Sequence, residues 1–139
     1  MSRIVVDASV AVKWFVPEVH SDRAKRLLQG DFELLAPDLI LAEVGNVLWK
    51  KTRRGEISVE TGGNILRDFK RFPIRVYDSA ELAELAWDLA IHFDRTFYDS
   101  LYLALARSLD CSLATADRRF YNSLQETLLV NSMLWVEDL

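Results

Sequence analysis

Apolar residues in this chain fall into two patterns: short unbroken runs, and longer stretches with a helical period. Ile4-Val5-Val6 is a run of the first kind and predicts a buried strand, bounded by Asp7-Ala8-Ser9. A short helical stretch follows to Phe15 and stops at Pro17. Ser21 is placed to cap a second helix running to Gln29, with Gly30 as its stop. Glu33-Leu34-Leu35-Ala36 reads as the next strand, closed by Pro37. From Leu39 to Arg54, the residues Leu41, Val44, Val47 and Leu48 recur at helical spacing, and Gly55 ends the pattern. Ser58 can cap a helix reaching Phe72. Gly62 and Gly63 weaken its early turns by about 1 kcal/mol each relative to Ala. Ile74-Arg75-Val76 predicts a strand, and Ser79 a cap for an amphipathic helix from Ala80 to Phe93. Thr96 opens another helix ending near Leu109. Ser112 to Thr115 is the next strand, with Leu128-Leu129-Val130 and Leu134-Trp135-Val136 as late strand candidates.

This alternation predicts one α/β domain over residues 1–139, with a largely parallel sheet and helices on both faces. A chain of 139 residues is long enough to bury roughly two-thirds of its unfolded surface. Half the residues are hydrophobic, which argues against disorder. The single cysteine, Cys111, excludes an internal disulfide and fits a reducing, cytoplasmic setting. With no His or second Cys at ligand spacing, it reads as a buried structural thiol. No apolar run approaches the ~20 residues needed to span a bilayer. Asp7 and Lys13 interrupt the apolar N-terminus, which makes it a poor signal peptide.

Four carboxylates then change the picture, because each stands in apolar surroundings. Asp7 follows Ile4-Val5-Val6, and Glu43 lies in Leu41-Ala42-Glu43-Val44. Asp99 lies in Phe97-Tyr98-Asp99-Ser100-Leu101, and Asp117 follows Leu113-Ala114-Thr115-Ala116. Carboxylates are rarely buried without a partner. Asp7 and Asp117 follow strands, where open α/β sheets bind ligands. If the four meet, they repel unless a cation sits among them, and a hard divalent ion such as Mg²⁺ suits them. Each also has an ordinary alternative. Asp7 and Asp117 can cap the helices that follow them. Thr96-Phe97-Tyr98-Asp99 has capping-box spacing, with Asp99 accepting from the Thr96 backbone. Glu43 is harder to dismiss, since a lone charge in a buried helix face costs several kcal/mol.

Other polar residues gain meaning beside these acids. Asn46 is one turn after Glu43 and could orient a carboxylate or a water. Ser9 and Thr115 each lie two residues from an acid and could bond it, or serve only as turn residues. Lys50-Lys51-Thr52-Arg53-Arg54 places cations at a helix C-terminus, where they meet the dipole and could also meet phosphate. Arg118, Arg119 and Lys13 are the candidate contacts to a nucleic-acid backbone. The formal charge of −4 argues against a generic nucleic-acid coat protein. Without the four acids, however, the chain is formally neutral. His20 and His92 show no motif. Trp14, Phe15, Trp49, Phe69, Phe72 and Trp87 read mostly as core, with some free to line a partner groove.

These segments together resemble the PIN-domain ribonucleases, and most closely the VapC-type toxins of bacterial and archaeal toxin–antitoxin pairs. The resemblance is carried by Val6-Asp7-Ala8-Ser9-Val10, Val12-Lys13-Trp14-Phe15-Val16-Pro17-Glu18 and Leu41-Ala42-Glu43-Val44-Gly45-Asn46-Val47-Leu48. It continues in Thr96-Phe97-Tyr98-Asp99-Ser100-Leu101-Tyr102 and Thr115-Ala116-Asp117-Arg118-Arg119. By this resemblance, Asp7, Glu43, Asp99 and Asp117 fall on the family's four metal-site acids and Thr115 on its hydroxyl position. It implies a PIN-like three-layer α/β/α fold with about five strands in the sheet. It also implies RNA phosphodiester hydrolysis with one or two Mg²⁺ or Mn²⁺ ions, a homodimer, and a cognate VapB-like antitoxin that blocks the site. Asp7 and Asp99 are the first choices as direct ligands. Residues 125–133 match no motif of the family. The antitoxin is expected to lay an amphipathic helix near Val10–Phe15 and the basic helix end, and to send a basic side chain toward the acids.

Two rival classes are weighed against this. A phosphorylated receiver domain wants two adjacent acids after its first strand, and an aspartyl phosphatase wants a second Asp two residues on. Here that position is Ser9. A non-catalytic PIN-like adaptor should have lost acids, and this chain keeps all four.

Overall fold

The protein is described by a computed structural model covering residues 1–139. Five strands form one parallel sheet: β1 (Ser2–Val6), β2 (Phe32–Pro37), β3 (Ile74–Tyr77), β4 (Ser112–Thr115) and β5 (Met133–Trp135). Their order is β3-β2-β1-β4-β5. Every neighbouring pair is parallel, with Val5 opposite both Leu35 and Leu113. The predicted α/β class and five-stranded sheet are therefore present. Val5, Leu35 and Leu113 have no exposed surface, as strands covered on both faces require.

The connections fix the layers. Between β1 and β2 lie α1 (Ala8–Ala11), a 3₁₀ turn Val12–Trp14, α2 (Ser21–Ala24) and α3 (Arg26–Gln29). Between β2 and β3 lie α4 (Leu39–Arg53) and α5 (Val59–Lys70). The chain then returns across the sheet through α6 (Ser79–Phe93) and α7 (Phe97–Ser108), and α8 (Arg118–Ser123) follows β4. Right-handed crossovers put α4 and α5 on one face and α6 and α7 on the other. Helix α7 is buried continuously from Ser100 to Ala106, because α6 covers it from outside. The chain leaves β1 toward β2 and leaves β4 toward β5. The carboxyl ends of β1 and β4 therefore border a crevice at the switch point of the sheet.

Several local features depart from the sequence expectation. The Ser21 helix breaks at Lys25, and its cap position is His20 in the left-handed region (φ 65°). The Ser21 hydroxyl is used elsewhere, accepting from Glu18 N at 3.0 Å and donating to Val16 O at 3.1 Å. Asp78, rather than Ser79, caps α6 by accepting from Ala80 N at 3.0 Å. Leu128–Val130 is not a strand. Leu129 alone is buried there while Leu128 is 87% exposed, and the β4 edge is taken by Met133–Trp135. Gly62 is tolerated in α5 because a Cβ there would stand 3.2 Å from Thr52 Oγ1 on α4. The two helices approach closely at that point, so packing overrides intrinsic propensity.

Trp14 and Phe15 are held by α5 and the residues after it. Trp14 stacks on Phe72 with ring centres 5.2 Å apart, and Phe15 meets Phe69 edge-on. Trp49 and Trp87, expected mostly in the core, are 55% and 60% exposed. Lys13 is not a surface cation. It is buried and pairs with Glu18 at 3.1 Å, and Lys51 at the end of α4 reaches the other Glu18 oxygen at 2.6 Å. The two ammonium groups outweigh the burial of Glu18 and hold its carboxyl below the usual range. This pair of bonds fastens α4 to the 3₁₀ turn after α1. Replacing Glu18 by Gln keeps the shape and leaves two shielded cations without a counter-charge. Glu18→Gln should lose roughly 2–3 kcal/mol of stability. Urea unfolding should show a lower midpoint with unchanged slope, and an unaltered midpoint would deny the clamp its role.

Candidate active site

Asp7 is the first residue beyond β1, and its backbone N–H still bonds Ala114 O of β4 at 3.3 Å. Its side chain caps α1, accepting from Val10 N at 3.2 Å. It also accepts from Ser9 Oγ and from Thr115 Oγ1, each at 2.5 Å, one on each carboxylate oxygen. The two hydroxyls are themselves fixed. Ser9 Oγ accepts from Ala116 N at 2.9 Å, and Thr115 Oγ1 accepts from Asp117 N at 3.0 Å. Asp7 is thus a cap and a member of a network across the switch point. Capping alone does not account for it.

The four acids come from four elements and line one cleft of about 590 Å³, together with Ser9, Asn46, Lys50, Tyr98 and Tyr102. Glu43 projects from the first half of α4 and is half-buried. Asp99 lies in the first turn of α7. Thr96 caps that helix by accepting from Asp99 N at 3.0 Å. The reciprocal bond of a capping box is not formed. The Asp99 carboxylate pairs instead with Arg95 at 3.5 Å. Asp117 is exposed and caps α8, accepting from Phe120 N at 3.2 Å.

The electrostatics link these acids in sequence. Burial pushes the Asp7 carboxyl up to about 6, against the pull of its three hydrogen bonds, and Glu43 adds to the rise. Burial also raises Glu43, and Asp99 raises it further. Burial raises Asp99 in turn, opposed by Arg95 and reinforced by Asp117. Each acid feels the next, which is the field that a divalent cation would relieve. No three of these side chains stand at mutual chelating distance in this arrangement. The donor set nonetheless fits a hard cation: oxygen ligands only, sharing one cleft, with the ionisation of Asp7, Glu43 and Asp99 made costly by burial and by repulsion from a neighbouring acid. The residues that would hold the ion are Asp7, Glu43, Asp99 and Asp117.

The remaining predicted residues divide. Asn46 lines the cleft, and Ser9 and Thr115 bond Asp7 directly. Arg118 and Arg119 are exposed beside Asp117 but do not line the cleft. The Arg118 guanidinium lies 4.1 Å from the Trp135 ring centre and pairs with Glu137 at 3.4 Å. Lys13 does not reach the cleft, being buried against Glu18. Lys50 is the one cation lining it.

Three residues went unweighed in the sequence. Arg95 and Tyr102 lie four residues before and three after Asp99, a helical period that could have exposed both. Tyr98 stands next to Asp99 and is 60% exposed. The Tyr102 hydroxyl is buried, faces Glu43 and lacks a partner within hydrogen-bond geometry. Its nearness still eases the Glu43 charge.

A PIN-domain family model matches residues 4–123. The chain belongs to the PIN-domain family, and its type within that family is VapC. Ribonuclease VapC3 of Pyrobaculum aerophilum is 37% identical over 119 residues, spanning 84% of this chain and 91% of that protein. Among solved structures, PAE2754 from the same organism superposes with a TM-score of 0.71 at 26% identity, over 98% of this chain and 85% of its own. A toxin–antitoxin complex from Klebsiella pneumoniae contains a chain similar in fold at a TM-score of 0.63. It is 12% identical, and the match covers 98% of this chain and 99% of that one.

The Asp7 environment makes a pH prediction. Its carboxyl holds a proton up to about pH 6 in the fold and to the ordinary 3.8 when exposed. A folded value above the unfolded one stabilises fully below the unfolded value, and that stability is lost as pH rises through 6. The loss is roughly 3 kcal/mol. In EDTA, Asp7→Asn should therefore melt higher than the native protein at pH 7.5. The gap should narrow as pH falls through 6 toward 4.5, and close only below the unfolded value of 3.8. A gap independent of pH would contradict the burial of an ionisable Asp7.

Proposed function

We propose that this protein is a Mg²⁺- or Mn²⁺-dependent endoribonuclease that hydrolyses RNA phosphodiesters as the toxin of a toxin–antitoxin pair. The observation that carries this is the delivery of Asp7, Glu43, Asp99 and Asp117, from four separate elements, into one cleft at the switch point. Its relatives support the chemistry, since the Pyrobaculum protein is named a ribonuclease.

A divalent cation held there supplies Lewis acidity, activating water at neutral pH and offsetting charge that develops on the phosphate. The chain's own residues supply position. Ser9 and Thr115 fix both oxygens of Asp7, so that carboxylate meets a ligand without reorienting. Arg95 takes one oxygen of Asp99 and leaves the other for the cleft. Asn46 and Lys50 stand on the same wall of α4, where an amide can orient water and an ammonium can meet a phosphate oxygen. Water adds to phosphorus, the ribose oxygen leaves, and that oxygen takes up a proton. No histidine lines the cleft, and the groups in it that exchange protons near neutral pH are its buried carboxylates, of which Asp7 is raised to about 6.

The antitoxin surface we favour keeps the basic end of α4 but moves off the Val10–Phe15 turn. Val10, Val12 and Trp14 are buried and leave no groove at that turn. A shallow trough of about 420 Å³ runs instead between α4 and α5, lined by Leu48, Trp49, Val59 and Leu66 and opened by Gly45, Gly62 and Gly63. Trp49 and Val59 are 55% and 79% exposed. The trough suits the apolar face of an antitoxin helix. Helix α4 borders both trough and cleft, so a basic side chain following that helix could reach Glu43 and cover the acids. A homodimer would use the apolar face of α6, where Trp87 and Ile91 are 60% and 66% exposed.

RNA cleavage should stop in EDTA and return with Mg²⁺ or Mn²⁺. Asp7→Asn and Asp99→Asn should each lose several orders of magnitude in rate while remaining folded. Full cleavage in EDTA, or an active Asp99→Asn, would end the metal assignment. Expressed alone, the native chain should slow growth. Asp7→Asn should not, and co-expression of the neighbouring antitoxin gene should restore growth unless Trp49→Asp blocks the trough. Expression of the native chain without any growth cost would count against a toxin.

A further inference from the structure

Helix α7 carries Tyr102 one turn after Asp99, in the middle of a buried face. The residue is 2% exposed, and its side chain forms part of the cleft wall. Its hydroxyl approaches the Glu43 carboxylate closely enough to act on its charge, but makes no bond of full hydrogen-bond geometry. A phenylalanine would fill the same space without burying an unmatched hydroxyl, so packing alone does not ask for tyrosine. Ser100 Oγ also lacks such a bond, but Ser100 does not line the cleft. Glu43, Asp7 and Asp99 line the same cleft, and of these Glu43 is the one coupled to the hydroxyl by a partial hydrogen bond as well as by charge. Ionised carboxylates only accept hydrogen bonds, so toward these acids the phenol O–H serves as a donor.

We propose that Tyr102 is a positioning residue of this cleft, whose O–H donates to the Glu43 carboxylate when that carboxylate turns to hold a divalent cation. The proposal rests on the metal-dependent reading above. Donation to one Glu43 oxygen leaves the other directed into the cleft, which is the part an outer partner plays for a ligating carboxylate. The hydroxyl is short of a full bond before the carboxylate turns, and the bond forms with the ligand.

The test compares Tyr102→Phe with the native full chain by calorimetric titration with Mn²⁺, by thermal melting in EDTA, and by kcat and KM on an RNA substrate. Tyr102→Phe should melt in EDTA no lower than the native protein, since it removes a hydroxyl that makes no full hydrogen bond. Its Mn²⁺ affinity should fall about tenfold, and kcat should fall with KM unchanged. Unchanged Mn²⁺ affinity in Tyr102→Phe, against native protein that binds Mn²⁺, overturns this proposal alone. A large fall in melting temperature in EDTA overturns it too, because the hydroxyl would then be structural. Native protein that binds no Mn²⁺ overturns the metal reading and this proposal with it.

Discussion

The carboxylate of Asp7 and its two hydroxyl donors hold the working edge of this molecule together. β1 and β4 are neighbours in the sheet, but their ladder ends where the site begins. Beyond it the strands are joined by side chains: Ser9 and Thr115 each donate to Asp7 and each accept a backbone N–H from the start of the segment after β4. Both hydroxyls are used as donor and acceptor, so neither rotor is free. The same bonds oppose burial in setting the Asp7 charge. Losing either hydroxyl would favour the neutral acid, and a neutral acid is a poor ligand for a hard cation.

That edge stores repulsion, which the rest of the fold contains. Asp99 rides on α7, buried between α6 and the sheet. Glu43 rides on α4, whose far end is fastened by Lys51 to Glu18, and Glu18 also binds Lys13. One helix therefore carries near one end a carboxylate raised by burial and by Asp99, and at the other a lysine clamped to Glu18. The clamp is paired and self-sufficient. The cleft is not, and the difference is the mark of a site rather than of a structural ion pair.

This contrast explains what the sequence disclosed. Asp7 and Asp117 were legible because short β-branched or apolar runs end in them, and Glu43 because it interrupts the apolar run from Leu39 to Val44. The strands β1 to β4 followed from the same runs. Partners were not legible. Lys13 read as a free cation because its salt bridge depends on how the turn after Trp14 folds back. Asp99 read equally as a capping-box residue, and only three-dimensional geometry gives its carboxylate to Arg95. Trp49 and Trp87 read as core because aromatic residues usually are, yet α4 and α6 turn them outward. Leu128–Val130 had strand composition, but one edge of β4 has room for one strand and Met133–Trp135 fills it. Tyr102 sat at a telling distance from Asp99 but drew no notice for the opposite reason: an aromatic residue on a buried helix face needs no explanation until its hydroxyl is found without a full bond.

An acidic chain acting on a polyanion must order its encounters. Most cations that could draw RNA in are already engaged. Lys13 and Lys51 serve Glu18, and Arg53 lies over Trp49. Arg23 and Arg26 bind carbonyls of the C-terminal residues Glu137 and Leu139. Around the cleft there remain Lys50, Arg118 and Arg119, and Arg118 is partly committed to Glu137 and Trp135. With Arg95 already paired to Asp99 and Arg118 partly committed, the cations beside these four carboxylates do not make an attractive field for phosphate. On the proposed function, the divalent cation must therefore arrive first. It converts the cleft from repulsive to receptive, and substrate affinity becomes a consequence of metal occupancy rather than of a standing basic surface.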